Sequence, residues 1–212
     1  MDRPIIIIGA GGHAKVLLDT LLLNGEAVLG LTEFDAEKWN TSVLGVSVIG
    51  NDDVILSHSP DEIFLVNGMG SVGSTKKRQE IYRSFKAKGY KFATVVHPSA
   101  IISPYVVLGE GVQLMAGCTI NAGTVIGDDS IVNTRASIDH DVLIGEHVHI
   151  APGTTISGGV KIGDGVHIGT GASVIQGVQI GTNSIVGAGA VVLTNLPNEC
   201  LAYGVPARCG KV

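Results

Sequence analysis

Residues 138–156 read IDHDVLIGEHVHIAPGTTI. An aliphatic side chain returns at every sixth position, at Ile138, Ile144, Ile150 and Ile156. The same register runs back to Ile102 and forward to Val192, and all sixteen lead positions are Ile, Leu or Val. Four residues after each lead stands a small or apolar residue, such as Cys118, Ala136, Val148 or Ala172. A longer period is nested in the short one. Leu108-Gly109-Glu110, Ile126-Gly127-Asp128, Ile144-Gly145-Glu146 and Ile162-Gly163-Asp164 recur every eighteen residues. Three hexads therefore make one coil, and each corner chemistry returns on the next coil. Three short strands and three turns close a triangular prism, with the leads stacked inward at the ~4.8 Å spacing of adjacent strands. A helix is excluded because glycine is too frequent and six is not a multiple of 3.6. A sandwich is excluded because its strands do not repeat in constant register.

Outside this stretch the grammar changes. Residues 5–8 are an unbroken run of isoleucine, as in a buried parallel strand, followed by Gly9-Ala10-Gly11-Gly12 and a helical pattern over 13–23. Strands are expected at 27–31, 63–66 and 92–96, a helical turn near 52–56, and a charged surface helix at 75–88. Strands alternating with helices imply a small α/β domain with a parallel sheet, Rossmann-like in its order. The expected organisation is an α/β domain at 1–96, a β-helix at 97–193 and a tail at 194–212. The tail leaves the hexad register and is expected to pack against the last coils.

Composition limits the function. Hydrophobic residues make up 45% of the 212-residue chain but aromatics only 4%, with 30 glycines, which suits an interior tiled by aliphatic side chains. Net charge is −5 and the cations are scattered, so there is no basic stripe for nucleic acid and no polybasic anchor. No apolar run reaches the ~18 residues of a membrane span. Cys118, Cys200 and Cys209 lack metal-ligand spacing, so no metal is expected. An odd, sparse set of thiols suits a reducing cytoplasm better than a disulfide framework.

Two groups of residues carry chemistry. The first is Gly9-x-Gly11-x-x-Ala14, between a strand and a helix, where backbone N–H groups approach a phosphate at the helix start. Gly12 belongs to the same turn. Glu33 and Asp35 follow at the distance where ribose contacts fall. A plain strand–helix turn reads the same way. A dinucleotide suits poorly, because ~95 residues offer only half of a dinucleotide fold. His13 could point a ring N–H at a diphosphate, and Asn67, Gly68 and Gly70 could line the same crevice or be loop residues. The second group is Asn133, Asp139-His140-Asp141 and His149. His140 falls at a corner, where either flanking carboxylate could fix its tautomer and support the imidazolium. His167, eighteen residues after His149, should stack on it. Inert corner histidines are the plain alternative. Cys118 falls at an inward position and reads as a core thiol. His58 and His97 read as structural. Nothing places Lys161, Arg208 or Lys211 against a phosphate.

The hexads over 97–193 resemble the hexapeptide-repeat transferases, which are left-handed β-helices. The whole chain resembles a narrower group, bacterial nucleotide-sugar acetyltransferases related to the sialic acid O-acetyltransferase family. The residues that carry the resemblance are 8–15 (IGAGGHAK), 97–100 (HPSA), 138–141 (IDHD), 147–153 (HVHIAPG) and 204–207 (GVPA). The resemblance implies that His140 is the general base, assisted by Asp141, with Asn133 and Asp139 in support. It implies that His149 lies against acetyl-CoA, and that the glycine loop with His13 binds the sugar nucleotide. Further, it implies that CoA lies between the coils of two subunits of a homotrimer, near Gly158, Thr170 and Ala188. Many relatives carry consecutive aspartates where this chain has Glu33-Phe34-Asp35, which leaves the base and sugar contacts there open.

The expected reaction is direct attack of a 4-amino group of a nucleotide-linked sugar on the acetyl-CoA thioester. His140 takes the proton, and a backbone N–H near Gly158 stabilises the oxyanion. A UDP-linked acceptor leads, with a GDP-linked amino sugar or O-acetylation of a sialic acid as alternatives. A sugar nucleotidyltransferase would need a long basic glycine-rich run, which is absent. A noncatalytic scaffold would leave His140 and His149 without a purpose.

Overall fold

The computed structural model describes residues 2–210. Lys211, weighed above as a phosphate contact, lies outside them. The N-terminal part is a five-stranded sheet flanked by two helices. Its elements are β1 (Ile5–Ile8), α1 (Gly12–Leu23), β2 (Val28–Thr32), β3 (Ser42–Val43), β4 (Val46–Gly50), β5 (Phe64–Asn67) and α2 (Lys76–Ala87). The strand order is β3-β4-β2-β1-β5. All four side chains of β1 are buried, as its apolar run requires. Gly30 of β2 lets β4 approach, since a Cβ there would meet Ile49 Cγ2 at 2.5 Å.

The sheet corrects the expectation of purely parallel strands. β3 and β4, which the sequence reading left out, form an antiparallel hairpin at the edge. Its turn holds Leu44 at φ 47 and Gly45 at φ 83, two left-handed residues in succession. That conformation usually shows in sequence as Asn-Gly or Asp-Gly, and Leu-Gly does not announce it. The expected strand at 92–96 is also divided. Phe92 makes only an isolated bridge to Leu65. β6 (Val95–Val96) pairs instead with Gln113–Leu114 of the prism.

From β6 onward the chain winds a three-sided left-handed β-helix. The first face stacks β6, Gln113–Leu114, Ile131–Val132, His149–Ile150, His167–Ile168 and Ile185–Val186. Ile120, Ile138, Ile156 and Val174 align on the second face, and Ile126, Ile144, Ile162 and Ile180 on the third. The leads from Leu114 to Val192 are all buried, so the hexad is the core. Corners take left-handed residues, at Asp129, Asp141 and His147 among others, with φ between 54 and 57. Asp, Asn and His tolerate that region better than most side chains do.

The tail packs on the last coil as expected. Leu201–Tyr203 extends the first face beyond Ile185–Val186, and Arg208–Gly210 turns back antiparallel to it. This hairpin overturns the reading of three unpaired thiols. It brings the Cα atoms of Cys200 and Cys209 to 5.7 Å, and the two are joined as a disulfide. Their spacing in sequence gave no sign of a turn between them. Cys118 is a free, buried core thiol, and burial pushes its pKa up to about 11. No helix among the described residues is long and apolar enough to cross a membrane.

α2 joins the two parts. Arg78, Tyr82 and Phe85 recur at i, i+4 and i+7 and form its buried stripe, despite the helix's high charge. Arg78 is 1% exposed and meets Asp129, which is fully buried, with Nη2 2.7 Å from Oδ1 as an ion pair lacking hydrogen-bond alignment. Its Nε donates to the Asp129 carbonyl at 3.0 Å. The opposite carboxylate oxygen lies 3.0 Å from His147 Nδ1. Asn67 Nδ2 donates to Asp129 as well, at 3.1 Å. Arg78 Nη1 donates to the Asn67 and Met69 carbonyls, so every charged atom in this junction faces a counter-charge or a hydrogen-bond partner, which is the condition for a buried ion to persist.

Candidate active site

A cavity of about 770 Å³ opens where the C-terminal ends of the strands meet the prism. The strand order changes direction at β1, between β2 and β5, and ligands of open α/β sheets sit at such a point. Gly9, at φ 91, gives its N–H to Thr32 Oγ1 at 3.2 Å, and the Thr32 hydroxyl donates to Asp52 at 2.6 Å. The glycine turn is thereby tied to the ends of β2 and β4. Gly11 caps α1 without a side chain, and no acidic residue occupies the first turn. The start of α1 thus borders the cavity with no side chain capping its first N–H groups, an arrangement that attracts negative charge. Gly68 is sterically required: a Cβ there would lie 2.5 Å from the Ile8 carbonyl oxygen and 2.8 Å from Ala14 Cβ. Glu33 lines the cavity. Asp35 does not; it accepts from Glu37 N at 3.1 Å and pairs with Lys38 at 3.9 Å.

His13 lines the cavity too, but the expected ring N–H toward a diphosphate is corrected. Gln113 Nε2 donates to the Asn67 carbonyl at 2.8 Å, which turns its Oε1 to His13. His13 Nε2 must then donate to that oxygen, at 2.7 Å. Burial, with the Arg78 charge nearby, lowers its pKa to about 4. The ring is neutral and offers Nδ1 as an acceptor only.

A directed chain of hydrogen bonds closes the prism side of the cavity. Thr134 N–H donates to Asn133 Oδ1 at 2.7 Å, so Asn133 presents its NH₂ to His149 Nε2 at 3.2 Å. His149 then carries its proton on Nδ1 and donates to Ser71 Oγ at 2.6 Å. Ser71 passes its own proton to His167 Nδ1 at 3.1 Å. Burial and the neighbouring His167, His13 and Arg78 hold the His149 pKa down to about 3. His149 and His167 do lie one above the other on the first face, their rings edge to face with centroids 5.1 Å apart.

His140 lies elsewhere. It sits at the corner between the second and third faces, whereas Asn133 and His149 belong to the first face and its corner. The structure thus divides the second constellation between two edges of the prism. Asp141 accepts from His140 Nδ1 at 2.8 Å, which leaves Nε2 as the basic nitrogen. Asp139 instead accepts from the His140 backbone N–H at 2.9 Å and from Asn121 Nδ2 at 3.1 Å. Those bonds hold the Asp139 carboxyl below its usual range. The bond to Asp141, then the charge of Asp139, raises the His140 pKa. Gly158 lies one coil on, flat against the ring: a Cβ there would meet His140 Nε2 at 2.6 Å. Thr170 and Ala188 stack on the exposed corner between the first and second faces, away from Gly158.

The sequence reading missed Ser71, Asp52, Arg78, Gln113 and Asp129. Only Arg78 had a legible signal, its place in the buried stripe of α2. Among the described residues no group of His, Cys, Asp and Glu could hold a metal ion.

Residues 4–85 match the family model described as PglD N-terminal domain. Residues 123–158 and 159–194 match that of the bacterial transferase hexapeptide (six repeats). Over 118 residues the chain is 37% identical to UDP-N-acetylbacillosamine N-acetyltransferase of Bacillus subtilis (strain 168), covering 54% of this chain and 52% of that protein. Over 83 residues it is 34% identical to GDP-perosamine N-acetyltransferase of Escherichia coli O157:H7, covering 39% and 38%. These matches span about half or less of the curated relatives' length. A solved structure of a His-to-Asn variant of perosamine N-acetyltransferase from Caulobacter crescentus, with CoA and GDP-perosamine, is similar over 100% of this chain and 99% of that one, at 40% identity and TM-score 0.91. The acetyltransferase domain of PglB from Neisseria gonorrhoeae FA1090, with acetyl coenzyme A, is 35% identical over 99% and 100%, with TM-score 0.90.

Proposed function

The chain belongs to the hexapeptide-repeat family of nucleotide-sugar N-acetyltransferases, and on that footing we propose that it transfers the acetyl group of acetyl-CoA to the 4-amino group of a nucleotide-linked sugar, in surface glycan synthesis. The relatives named above act on amino sugars, so the family is drawn at that level and not at the sialic acid O-acetyl subtype.

The observation that carries the reading is the exposed His140–Asp141 pair with its free Nε2. Attack by the neutral amine on the thioester carbonyl builds positive charge on nitrogen. His140 Nε2 receives that proton while Asp141 holds the opposite N–H and supports the imidazolium. The carbonyl oxygen gains negative charge in the same step. Among the described residues no intramolecular acceptor takes the Gly158 N–H, which makes it the oxyanion donor beside the base. The amine–carbonyl adduct collapses with loss of the CoA thiolate. No acyl-enzyme is required, because the one free thiol is buried in the core.

Neither edge of one prism is a complete site. The cavity with Asn133 and His149 binds the acceptor, and His140 reaches it from a second copy. An outward apolar ladder of Val107, Val125 and Leu143 on the third face, with exposed Ile101 on the second face and Tyr105 at the corner between them, supports a homotrimer that covers it. CoA then lies between copies, against Gly158 of one and Thr170 and Ala188 of another. The setting is cytoplasmic, where acetyl-CoA and nucleotide sugars meet.

The test is release of free CoA thiol from acetyl-CoA with a panel of nucleotide-linked 4-amino sugars and free sialic acid. Turnover with an amino-sugar nucleotide is expected, with the wild type sedimenting as a trimer. Turnover with sialic acid alone overturns the reading.

A further inference from the structure

The corner between the first and second faces is a column of backbone. Gly189 N–H donates to the Thr170 carbonyl at 2.8 Å, which sets the corner of Ala188 on that of Thr170. The tail hairpin continues the column by one more step. Gly187 N–H donates to the Ala202 carbonyl at 2.7 Å, and Val191 N–H to the Gly204 carbonyl at 3.1 Å. The turn at 203–206 therefore lies over the corner of Ala188. Tyr203 and Val205 stand out from that turn, both exposed. A CoA laid against Thr170 and Ala188 meets this turn at the next step, roughly 5 Å on.

The two strands of the hairpin are anchored unequally. Cys200 is buried in the prism core, with its N–H donating to Ser184 Oγ at 3.1 Å and its carbonyl accepting from Ile185 at 2.8 Å. Leu201–Tyr203 is thereby part of the first face. The return strand, Arg208–Gly210, is the outermost of that sheet and pairs with Leu201–Tyr203. Ala207 holds its start, buried and bonded to the Val191 carbonyl at 2.8 Å. Arg208 and Cys209 are exposed. The disulfide ties this outer strand to the anchored one across a separation of 9 residues. Gly210 at its end backs the Tyr203 ring, since a Cβ there would lie 2.6 Å from the Tyr203 hydroxyl oxygen. A cross-link over so short a loop favours the closed hairpin by a factor on the order of 100. Two short strands alone are marginal in water.

We propose that Cys200–Cys209 is a reversible redox site, exchanged by thiols of the glutathione class, whose opening weakens the binding of acetyl-CoA. The proposal rests on the placement of CoA given above. Disulfides in a reducing compartment are usually transient, catalytic or redox-sensing. A glutathione thiolate attacks Cys209 Sγ, on the exposed strand, and forms a mixed disulfide. Cys200 leaves as a thiolate and takes up a proton. A second glutathione thiolate attacks the mixed disulfide and frees Cys209, with oxidised glutathione as the product. Two electrons and two protons pass to the protein, and the reverse exchange restores the bond. Once open, the return strand draws Gly210 away from Tyr203, and the turn beside Ala188 loses its fixed shape.

The test equilibrates the whole protein at graded ratios of reduced to oxidised glutathione, then removes the glutathione without oxygen. Thiols alkylated after denaturation are counted by mass. Cys118 alone is expected in the oxidised form, and all three cysteines in the reduced form. Acetyl-CoA is titrated into the same samples by calorimetry. The three-thiol form is expected to bind it roughly tenfold more weakly, as the competent hairpin becomes the minor state. Cys209→Ser is expected to bind at that weaker level at every ratio. Equal affinity of the one-thiol and three-thiol forms overturns the proposal, even if the melting temperature falls, because the bond then only staples the tail. Three thiols at every ratio, or full affinity in Cys209→Ser, also overturn it. If both forms bind acetyl-CoA equally and an amino-sugar nucleotide is acetylated, the redox site fails and acetyl transfer stands. If neither form binds acetyl-CoA and no acetylated sugar appears, both fail.

Discussion

Replacing Gly158 by alanine separates the role of His140 from the stability of the prism. The added Cβ would lie 2.6 Å from His140 Nε2 and 2.7 Å from Cε1, about 1 Å inside ordinary contact. The backbone at Gly158 is outside the left-handed region, so alanine brings no strain of its own. The His140 side chain is 57% exposed and gives way in preference to the coil. The ring is driven off Gly158 by about 1 Å, and a misplacement of that size costs on the order of 100-fold in rate. Gly159→Ala is the control. Its Cβ meets nothing within 4 Å, but φ is +67, so it costs about 1–2 kcal/mol of strain and leaves the ring in place. Turnover should therefore fall in Gly158→Ala with the melting temperature held, and the melting temperature should fall in Gly159→Ala with turnover held. Gly158→Ala turning over within about threefold of wild type would refute the packing of base against glycine as a catalytic constraint.

Three further outcomes follow from the geometry. Arg78→Met strands the buried carboxylate of Asp129 and should cost about 3–5 kcal/mol in denaturant unfolding; adding Asp129→Asn should recover part of that loss, and a double variant worse than the single would contradict the pairing. His13 and His149, with pKa values lowered from 6.5 to about 4 and about 3, stay neutral in the fold while the unfolded chain takes up protons. Their stability contribution is present above pH 6.5 and lost as pH falls toward 4, so the unfolding midpoint should drop between pH 7 and 5, and a flat profile would count against the buried neutral rings. His140 is raised, so activity should climb with pH through a midpoint above its ordinary value, and Asp141→Asn should move that midpoint down.

The prism was legible because its core is periodic: each lead from Ile102 to Val192 keeps its register through sixteen turns of the pattern. β1 was legible for the same reason, as an unbroken apolar run. The edge hairpin was not, because a Leu-Gly turn hides its left-handed conformation. The His140–Asp141 bond could be anticipated from neighbours in sequence, although which carboxylate would take the ring could not. Contacts between residues far apart escaped. Ser71 reaches His149 and His167 across more than seventy residues, and Arg78 reaches Asp129 across 51. Neither pair has a local pattern, since the docking of α2 and the β5 loop on the prism creates both.

The central claim is that acetyl moves from CoA to a sugar nitrogen under His140. The direct test is the chemistry of the product formed from acetyl-CoA and a nucleotide-linked 4-amino sugar, by the wild type and by His140→Ala. The account predicts a base-stable amide on the sugar nitrogen, one thiol released per acetyl transferred, and a rate lowered ~100- to 10,000-fold in a variant that still folds. A base-labile ester on a hydroxyl, or undiminished amide formation by His140→Ala, would contradict it.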